Sequence, residues 1–317
     1  MSQRTGRVIC IGGATVDRKY RTREPVQLRT SNPATYERSF GGVARNVAEN
    51  IARLGAKSSL VSILGEDENG HAIREGLVRL DIDTRHMTFS GDHATAEYVA
   101  VLQPNGDLAL GLADMAIFDA FTPSVLQEVW PHVSASWVFA DCNLPSQTLH
   151  ELVDRARRQP TMLAVDAVSV LKVVRLPRDL NGIGILFLNQ DEAQAFLRSS
   201  SAPPDEMVEA LLDYGAARVV LTLGETGLIA ADRSGLTRVG AINVQVVDAT
   251  GAGDALIAGT LVTLLSGCSL AEAVRMGAMA AALTLESPAS VRPDLSLPLL
   301  KSAMERSFNR TLERGFP

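Results

Sequence analysis

Six short, almost unbroken apolar runs, at residues 8–11, 59–64, 137–140, 162–165, 185–188 and 219–223, limit how this chain folds more than any other feature. Strands with one wet face alternate apolar and polar residues. Runs without alternation belong to parallel strands covered on both faces. Helical patterns fill the gaps between the runs. Val43, Val47, Ile51 and Leu54 recur at helical spacing, and Gly55 follows as a stop. Residues 126–133, 150–158, 192–198, 206–214 and 254–265 read as further helices, the last with Gly267 just beyond it. Such alternation predicts an α/β fold built on a doubly wound, mostly parallel sheet.

Two stretches break the pattern. Residues 18–40 are polar and carry Pro25, Asn32 and Pro33, while residues 95–112 read TAEYVAVLQPNGDLALGL. There Pro104-Asn105-Gly106 separates two β-like runs, a strong hairpin signal. Both stretches are expected to form a small accessory sheet beside the main layer. The tail from Arg292 onward is expected to be one short helix, and the length of the chain suits one big α/β domain or one and a half.

Composition excludes several classes of function. A chain of 317 residues with net charge −6 has no overall electrostatic reason to bind nucleic acid or an anionic membrane. Its longest apolar stretches, 255–265 and 276–285, fall short of the roughly 20 residues that span a bilayer. The first residues lead almost directly into a strand and lack a signal-peptide core. Cys10, Cys142 and Cys268 are far apart, with no C-x-x-C pair. A cytoplasmic protein with reduced thiols and no zinc site is therefore expected.

In open α/β sheets, ligands bind outside the carboxyl ends of the strands. Polar residues gather where the apolar runs end: Gly12-Gly13 and Asp17, Asp141-Cys142-Asn143, Asp166, Asn189 with Glu192, and Thr222-Leu-Gly224. The strand-like 244–247 ends at Asp248 and opens DATGAGD, 248–254, followed by an apolar helical run. Gly251, Ala252 and Gly253 allow consecutive N–H groups to point at one spot, and a helix N-terminus adds positive partial charge. Such a nest suits a transferring phosphoryl group, and Asp254 at the helix start could accept a proton from an attacking hydroxyl. A glycine-rich turn with an acidic helix cap gives the same letters. FGGVARN, residues 40–46, places Gly41 and Gly42 at a helix start and offers Asn46 to a sugar diol; a flexible loop with a polar helix face would read alike. Asn189-x-x-Glu192 suits Mg²⁺ or an ordinary helix cap. Thr222, Gly224 and Gly227 suit a nucleotide-bearing turn or a plain hairpin. The fingerprint G-x-G-x-x-G of dinucleotide-binding oxidoreductases is missing after the first strand.

Together and in this order, the four segments resemble the ribokinase/PfkB family of sugar and nucleoside kinases, from about Val8 to Thr284. The resemblance implies a Rossmann-like, ribokinase-like domain with a β-sheet lid, used for homodimerisation, over the two misfit stretches. It implies ATP and Mg²⁺ as cofactors and a small nucleoside or sugar as substrate. Within the family the texture is most similar to the pseudouridine kinases, through SNP at 31–33, the run FGGVARNVAENIARLG, NGDLALGLADM, ADCN and SPASVRPDLS. The implied reaction is phosphorylation of the 5′-hydroxyl of pseudouridine. By the same resemblance, Asp254 is the base, and Gly251, Ala252 and Gly253 the anion hole. Asp17, Gly41, Gly42, Asn46 and Asp114 hold the substrate. Asn189, Thr222, Gly224 and Gly227 serve the nucleotide, and Glu192 with Asn189 holds Mg²⁺ through water. Asp248 and Thr250 are the candidate ligands of a monovalent cation such as K⁺. The chain departs from the family where Thr15 replaces an Asn, where Ala278 replaces another, and in 287–291, which lacks the usual Arg and Gly. Another PfkB substrate (ribose, adenosine or inosine, a phosphosugar met by Arg18, Lys19 and Arg45) and a non-catalytic sensor on the same fold are the alternatives. Lys172 is a further candidate for a phosphate or base contact, or an ordinary surface lysine.

Overall fold

A computed structural model describes residues 6–130, 135–199 and 201–313. Its centre is an eight-stranded sheet. Strands β1 (Arg7–Ile11), β4 (Lys57–Val61), β9 (Trp137–Asp141), β10 (Met162–Asp166), β11 (Ile183–Asn189) and β12 (Arg218–Thr222) are parallel. Strands β13 (Leu228–Asp232) and β14 (Gly235–Val239) extend it antiparallel, giving the order β14-β13-β12-β11-β10-β9-β1-β4.

The unbroken apolar runs are explained by cover on both faces. Ile9, Ile11, Val138, Ala140, Leu163, Val165, Leu186, Leu188, Val219 and Leu221 join one buried cluster. Their neighbours Val8, Cys10, Trp137, Phe139, Ala164, Ile185, Phe187 and Val220 join the other. Side chains alternate across a strand, so both parities are apolar only when both faces are dry. Each fully buried Leu, Ile, Val or Phe contributes about 1.5–3 kcal/mol, which holds the strand ends in a fixed array.

The accessory sheet has the order β3-β2-β7-β8. Strands β2 (Thr15–Thr22) and β3 (Ala34–Gly41) are inserted between β1 and helix α1 (Val43–Arg53); β7 (Glu97–Leu102) and β8 (Leu108–Asp114) form the expected hairpin. A parallel pairing of β2 with β7 joins the two insertions into one lid.

Several expectations are corrected. The apolar run at 59–64 divides into β4 and β5 (Ile63–Gly65), and β5 pairs with β6 (Thr88–Ser90) in a separate ribbon. Residues 244–247 form no strand: Val247 N–H donates to Leu285 O across 2.8 Å instead of entering a ladder. Helix α2 (Glu68–Arg79), capped by Asp67, and helix α9 (Leu270–Leu285) escape the sequence reading. The helix expected at 126–133 is α3 (Pro123–Val129), and residues 131–133 lie outside the described residues. The tail helix, α10 (Leu297–Glu313), is longer than the short one expected. Among the described residues, no helix is long and apolar enough to cross a membrane.

Candidate active site

Strand order turns back at β1, with β4 on one side and β9 on the other. Crevices at such switch points are where open α/β sheets take ligands. Here Asp141, at the carboxyl end of β9, is wholly buried and ties three segments together. Its Oδ2 accepts from Gly13 N–H and Ala44 N–H, both at 2.9 Å, and Oδ1 accepts from Asn143 N–H at 3.0 Å. Burial raises the Asp141 pKa, against the pull of these hydrogen bonds. The carboxylate pins the β1 turn and the start of α1 to the sheet.

Helix α8 (Ala252–Leu265) enters the same crevice. Gly251 caps it with φ 81°, and a Cβ there would collide with Ser290 O, so only glycine makes this turn. Among the described residues, no backbone carbonyl accepts from the N–H groups of Gly251, Gly253 or Asp254, while Ala252 N–H reaches Ala249 O only at 3.4 Å. These are the orphan donors of a helix start. Asp254, in the first turn, faces α1: Asn46 Nδ2 donates to Asp254 Oδ2 across 2.8 Å. Burial pushes the Asp254 pKa up to about 7, with the Asp141 and Asp17 charges adding to it and Asn46 and Arg45 opposing. Arg45 donates to Asn46 Oδ1 at 2.9 Å and also pairs with Glu49, which fixes the orientation of the Asn46 amide.

Asp17 lies on the lid strand β2 above this pair. Thr15 Oγ1 donates to its Oδ1 at 3.2 Å. Burial raises the Asp17 pKa, while Thr15, Lys19 and Arg45 work against the rise. A Cβ at Gly41 would strike the Asp17 carboxylate, and Gly42, with φ 95°, packs where a Cβ would lie 2.5 Å from Gly13 O. The Gly-Gly pair therefore sets how closely the lid strand approaches α1. The sequence-predicted Asp17, Gly41, Gly42, Asn46, Asp254 and the 251–253 turn thus come together.

The nucleotide-side candidates form local structures of their own. Asn189 and Glu192 make a reciprocal cap on α6 (Gln190–Leu197): Glu192 N–H donates to Asn189 Oδ1 at 2.9 Å and Asn189 N–H to Glu192 Oε2 at 2.8 Å. Thr222 pairs with Leu228 in the β12–β13 hairpin, whose turn contains Gly224 at φ 59° and Gly227 at φ 105°. Both plain readings of these segments hold, and both segments still border the site. Asn189, Glu192, Thr222, Gly253 and Asp254 line one cavity of about 200 Å³ with Asp166 and Val168. Burial raises Glu192 and lifts Asp166 well above the carboxylate range, and the Glu192 and Asp254 charges push Asp166 further. Such a set of hard, mutually repelling oxygens fits a divalent cation. Among the described residues, no three His, Cys, Asp or Glu side chains converge closely enough to hold one alone. The arrangement therefore suits an ion that arrives with phosphate and water ligands.

The Asp248 side chain, a candidate for a monovalent cation, is engaged within the protein. Lys19 Nζ, from the lid, sits 2.8 Å from Asp248 Oδ2, and Thr250 N–H donates to Oδ1 at 2.8 Å. Although burial works the other way, these contacts hold the Asp248 pKa below its ordinary value. Both oxygens are taken, one by a built-in cation. Asp114 does not join the site either. It stands in register with Glu97, and the Asp17 register runs through Tyr98 to Ala113 on the opposite face of the lid. Sequence reasoning counts Asp141 and Asp166 among the rim carboxylates without assigning them a task, and it misses the pairing of Lys19. No sequence spacing signals contacts made across the lid.

The model of the pfkB family carbohydrate kinases matches residues 5–295. The chain is 29% identical to the pseudouridine kinase of Escherichia coli, over 95% of this chain and 97% of that one. Among solved structures it superposes on a carbohydrate kinase from Agrobacterium tumefaciens with TM-score 0.84 and 29% identity, covering 95% of this chain and 97% of the other. The ribokinase of Thermotoga maritima shares the fold at TM-score 0.83 and 17% identity, covering 95% and 99%.

Proposed function

Because this chain belongs to the pfkB family of carbohydrate kinases, we propose that it transfers the γ-phosphoryl group of MgATP to the 5′-hydroxyl of pseudouridine. The observation that carries the substrate is the likeness to a pseudouridine kinase along nearly the full length of both chains. The site supports a neutral substrate over a phosphosugar. A phosphosugar needs unpaired cations near the sugar, whereas Arg45 is spent on Glu49, Arg18 on Glu97 and Lys19 on Asp248.

Asp17, the Gly41-Gly42 backbone and Asn46 hold the ribose hydroxyls, a diol matched by an acceptor-only carboxylate and an amide. Asp254 accepts the 5′-hydroxyl proton as the phosphoryl group leaves ATP. A carboxyl that titrates near neutrality is suited to this, since general bases work best with a pKa close to the operating pH. The orphan N–H groups at the start of α8 stabilise the charge on the transferring group without reorganising. Glu192, held by Asn189, would hold Mg²⁺ through water, and the bound metal would supply neutralisation of phosphate charge. Thr222, Gly224 and Gly227 form the turn beside the nucleotide. The Lys19 ammonium, not K⁺, neutralises Asp248. Lid closure through β2 and β7 keeps water from the phosphoryl group and suppresses ATP hydrolysis.

The outer face of the lid supports a homodimer. Leu110 and Leu112 are 51% and 55% exposed, on the face that carries Val99, Val101, Tyr20 and Tyr36. Half-exposed leucines in a row mark an association surface.

The deciding experiment measures ADP formation from MgATP with pseudouridine, uridine, ribose and fructose 6-phosphate side by side. Highest kcat/KM for pseudouridine is expected. A preference for ribose or fructose 6-phosphate would overturn the substrate assignment, and no turnover with any of them would favour a sensor role.

A further inference from the structure

The ribose groups assigned above leave one part of the crevice unexplained. Asn143 follows the Asp141 tie and is only 6% exposed. Lys172 Nζ donates to Asn143 Oδ1 across 2.5 Å. An ammonium has donors only, so the amide must turn its oxygen toward Lys172. Its Nδ2 then lies against the β1 turn, 2.9 Å from where a Cβ on Gly13 would stand. The pair thus stands beside the β1 turn, whose Gly13 O packs against Gly42.

Local backbone geometry puts Lys172 there. Strand β10 ends at Asp166, whose Oδ1 accepts from Val168 N–H at 2.9 Å. Val168 takes φ 66°, a strained conformation for a β-branched residue. The chain reverses and starts the short helix α5 (Val170–Val173) at the rim. Val168 lines the same cavity as Asp254. The neighbouring Arg175 is consumed by the carbonyls of Cys142, Asn143 and Leu144. Among the described residues, Lys172 makes no salt bridge: its hydrogen-bond partner is a neutral amide. A partly buried ammonium held against an amide oxygen presents a donor and an acceptor side by side.

We propose that Asn143 and Lys172 are the specificity residues that read the nucleobase, Lys172 donating to a ring carbonyl and Asn143 Oδ1 accepting from the adjacent ring N–H. This rests on the nucleoside reading of the site. Uracil joined through C5 presents N1–H beside C2=O. Uracil joined through N1 presents C5–H beside C4=O in the same place. The carbonyl is common to both, and only the C-nucleoside has the N–H. Lys172 therefore selects a pyrimidine, and Asn143 separates pseudouridine from uridine.

The test is steady-state kinetics of Asn143→Ala, Asn143→Asp and Lys172→Met on pseudouridine and uridine, with ATP affinity measured by calorimetry. Asn143→Ala should lower kcat/KM for pseudouridine about 10-fold and leave uridine within about 3-fold, the scale of one lost hydrogen bond. Asn143→Asp keeps an acceptor and should keep the preference. Lys172→Met should lower both nucleosides by about 10- to 100-fold, as for a charged donor, with ATP affinity unchanged. Equal losses on both nucleosides in Asn143→Ala, or lost ATP binding, would overturn the assignment alone. A wild-type enzyme inactive on pseudouridine would overturn the substrate reading and this proposal together.

Discussion

Asn46 and Asp254 are 208 residues apart in sequence, yet the Asn46 amide donates to Asp254 Oδ2 across 2.8 Å. The bond joins the first turn of α1 to the first turn of α8, so the two glycine-led helix starts of the crevice meet at one carboxylate. Burial above all pushes the pKa of that carboxylate up to about 7.

A base must be ionised to accept a proton. Since the folded pKa of Asp254 is raised to about 7, the active form is lost as pH falls through that value. The expected outcome is an acid limb in kcat/KM with a midpoint near 7, and about a tenfold loss per unit below it. Asp254→Asn should lower kcat by roughly 100-fold or more, with ATP affinity little changed. A flat profile from pH 5 to 8, or near-normal kcat in the variant, contradicts the assignment.

Asn46 favours the ionised form of Asp254, so its removal acts in a known direction. Asn46→Ala should move the acid limb to higher pH and raise KM for the nucleoside. A limb displaced to lower pH would mean that the amide does not stabilise the carboxylate. Steady-state rates across a pH series measure both effects.

Lys19 pairs with Asp248 just before helix α8, and under the proposed function this pair replaces an external cation. The wild-type enzyme should show the same kcat in K⁺, Na⁺ and tetramethylammonium salts at equal ionic strength. Lys19→Met uncovers Asp248 and should either lower kcat or introduce activation by K⁺. Strong K⁺ activation of the wild type would refute the pairing as the functional state.

Asp141 receives three backbone donors at a buried position. Asp141→Asn turns an NH₂ group toward one of them and leaves buried donors without an acceptor. A loss of about 2–4 kcal/mol is expected, read from chemical denaturation. An unchanged midpoint would show that the tie contributes nothing to stability.

The lid leucines give a separate test. Leu110→Asp puts a charge on the exposed apolar face and should yield a monomer in sedimentation at concentrations where the wild type is a dimer. Identical sedimentation of the two proteins would remove the lid as the interface.

Much of the site is legible in the sequence because its parts are local. The glycines of 251–253 and of 41–42, the first-turn Asp254 and the Asn189–Glu192 cap each depend on neighbours within a turn of helix, so spacing alone reveals them. Asp114 illustrates the opposite case. Its place in the lid hairpin is evident, but which face it shares depends on register with Glu97, and one residue of slip reverses every side chain. Lys19 and Asp248 meet only because β2 leans over the signature turn.

The apolar runs and their helical intervals determined the parallel sheet, since burial on both faces leaves a mark in every strand. The motifs at the strand ends determined which edge gathers the candidate site residues. Only the tertiary structure decided that Asp141 ties the switch point together, that Lys19 pairs with Asp248, and that Asn143 faces Lys172. These contacts join segments far apart in the chain, and their energies depend on burial and orientation, which emerge only when the strands are packed.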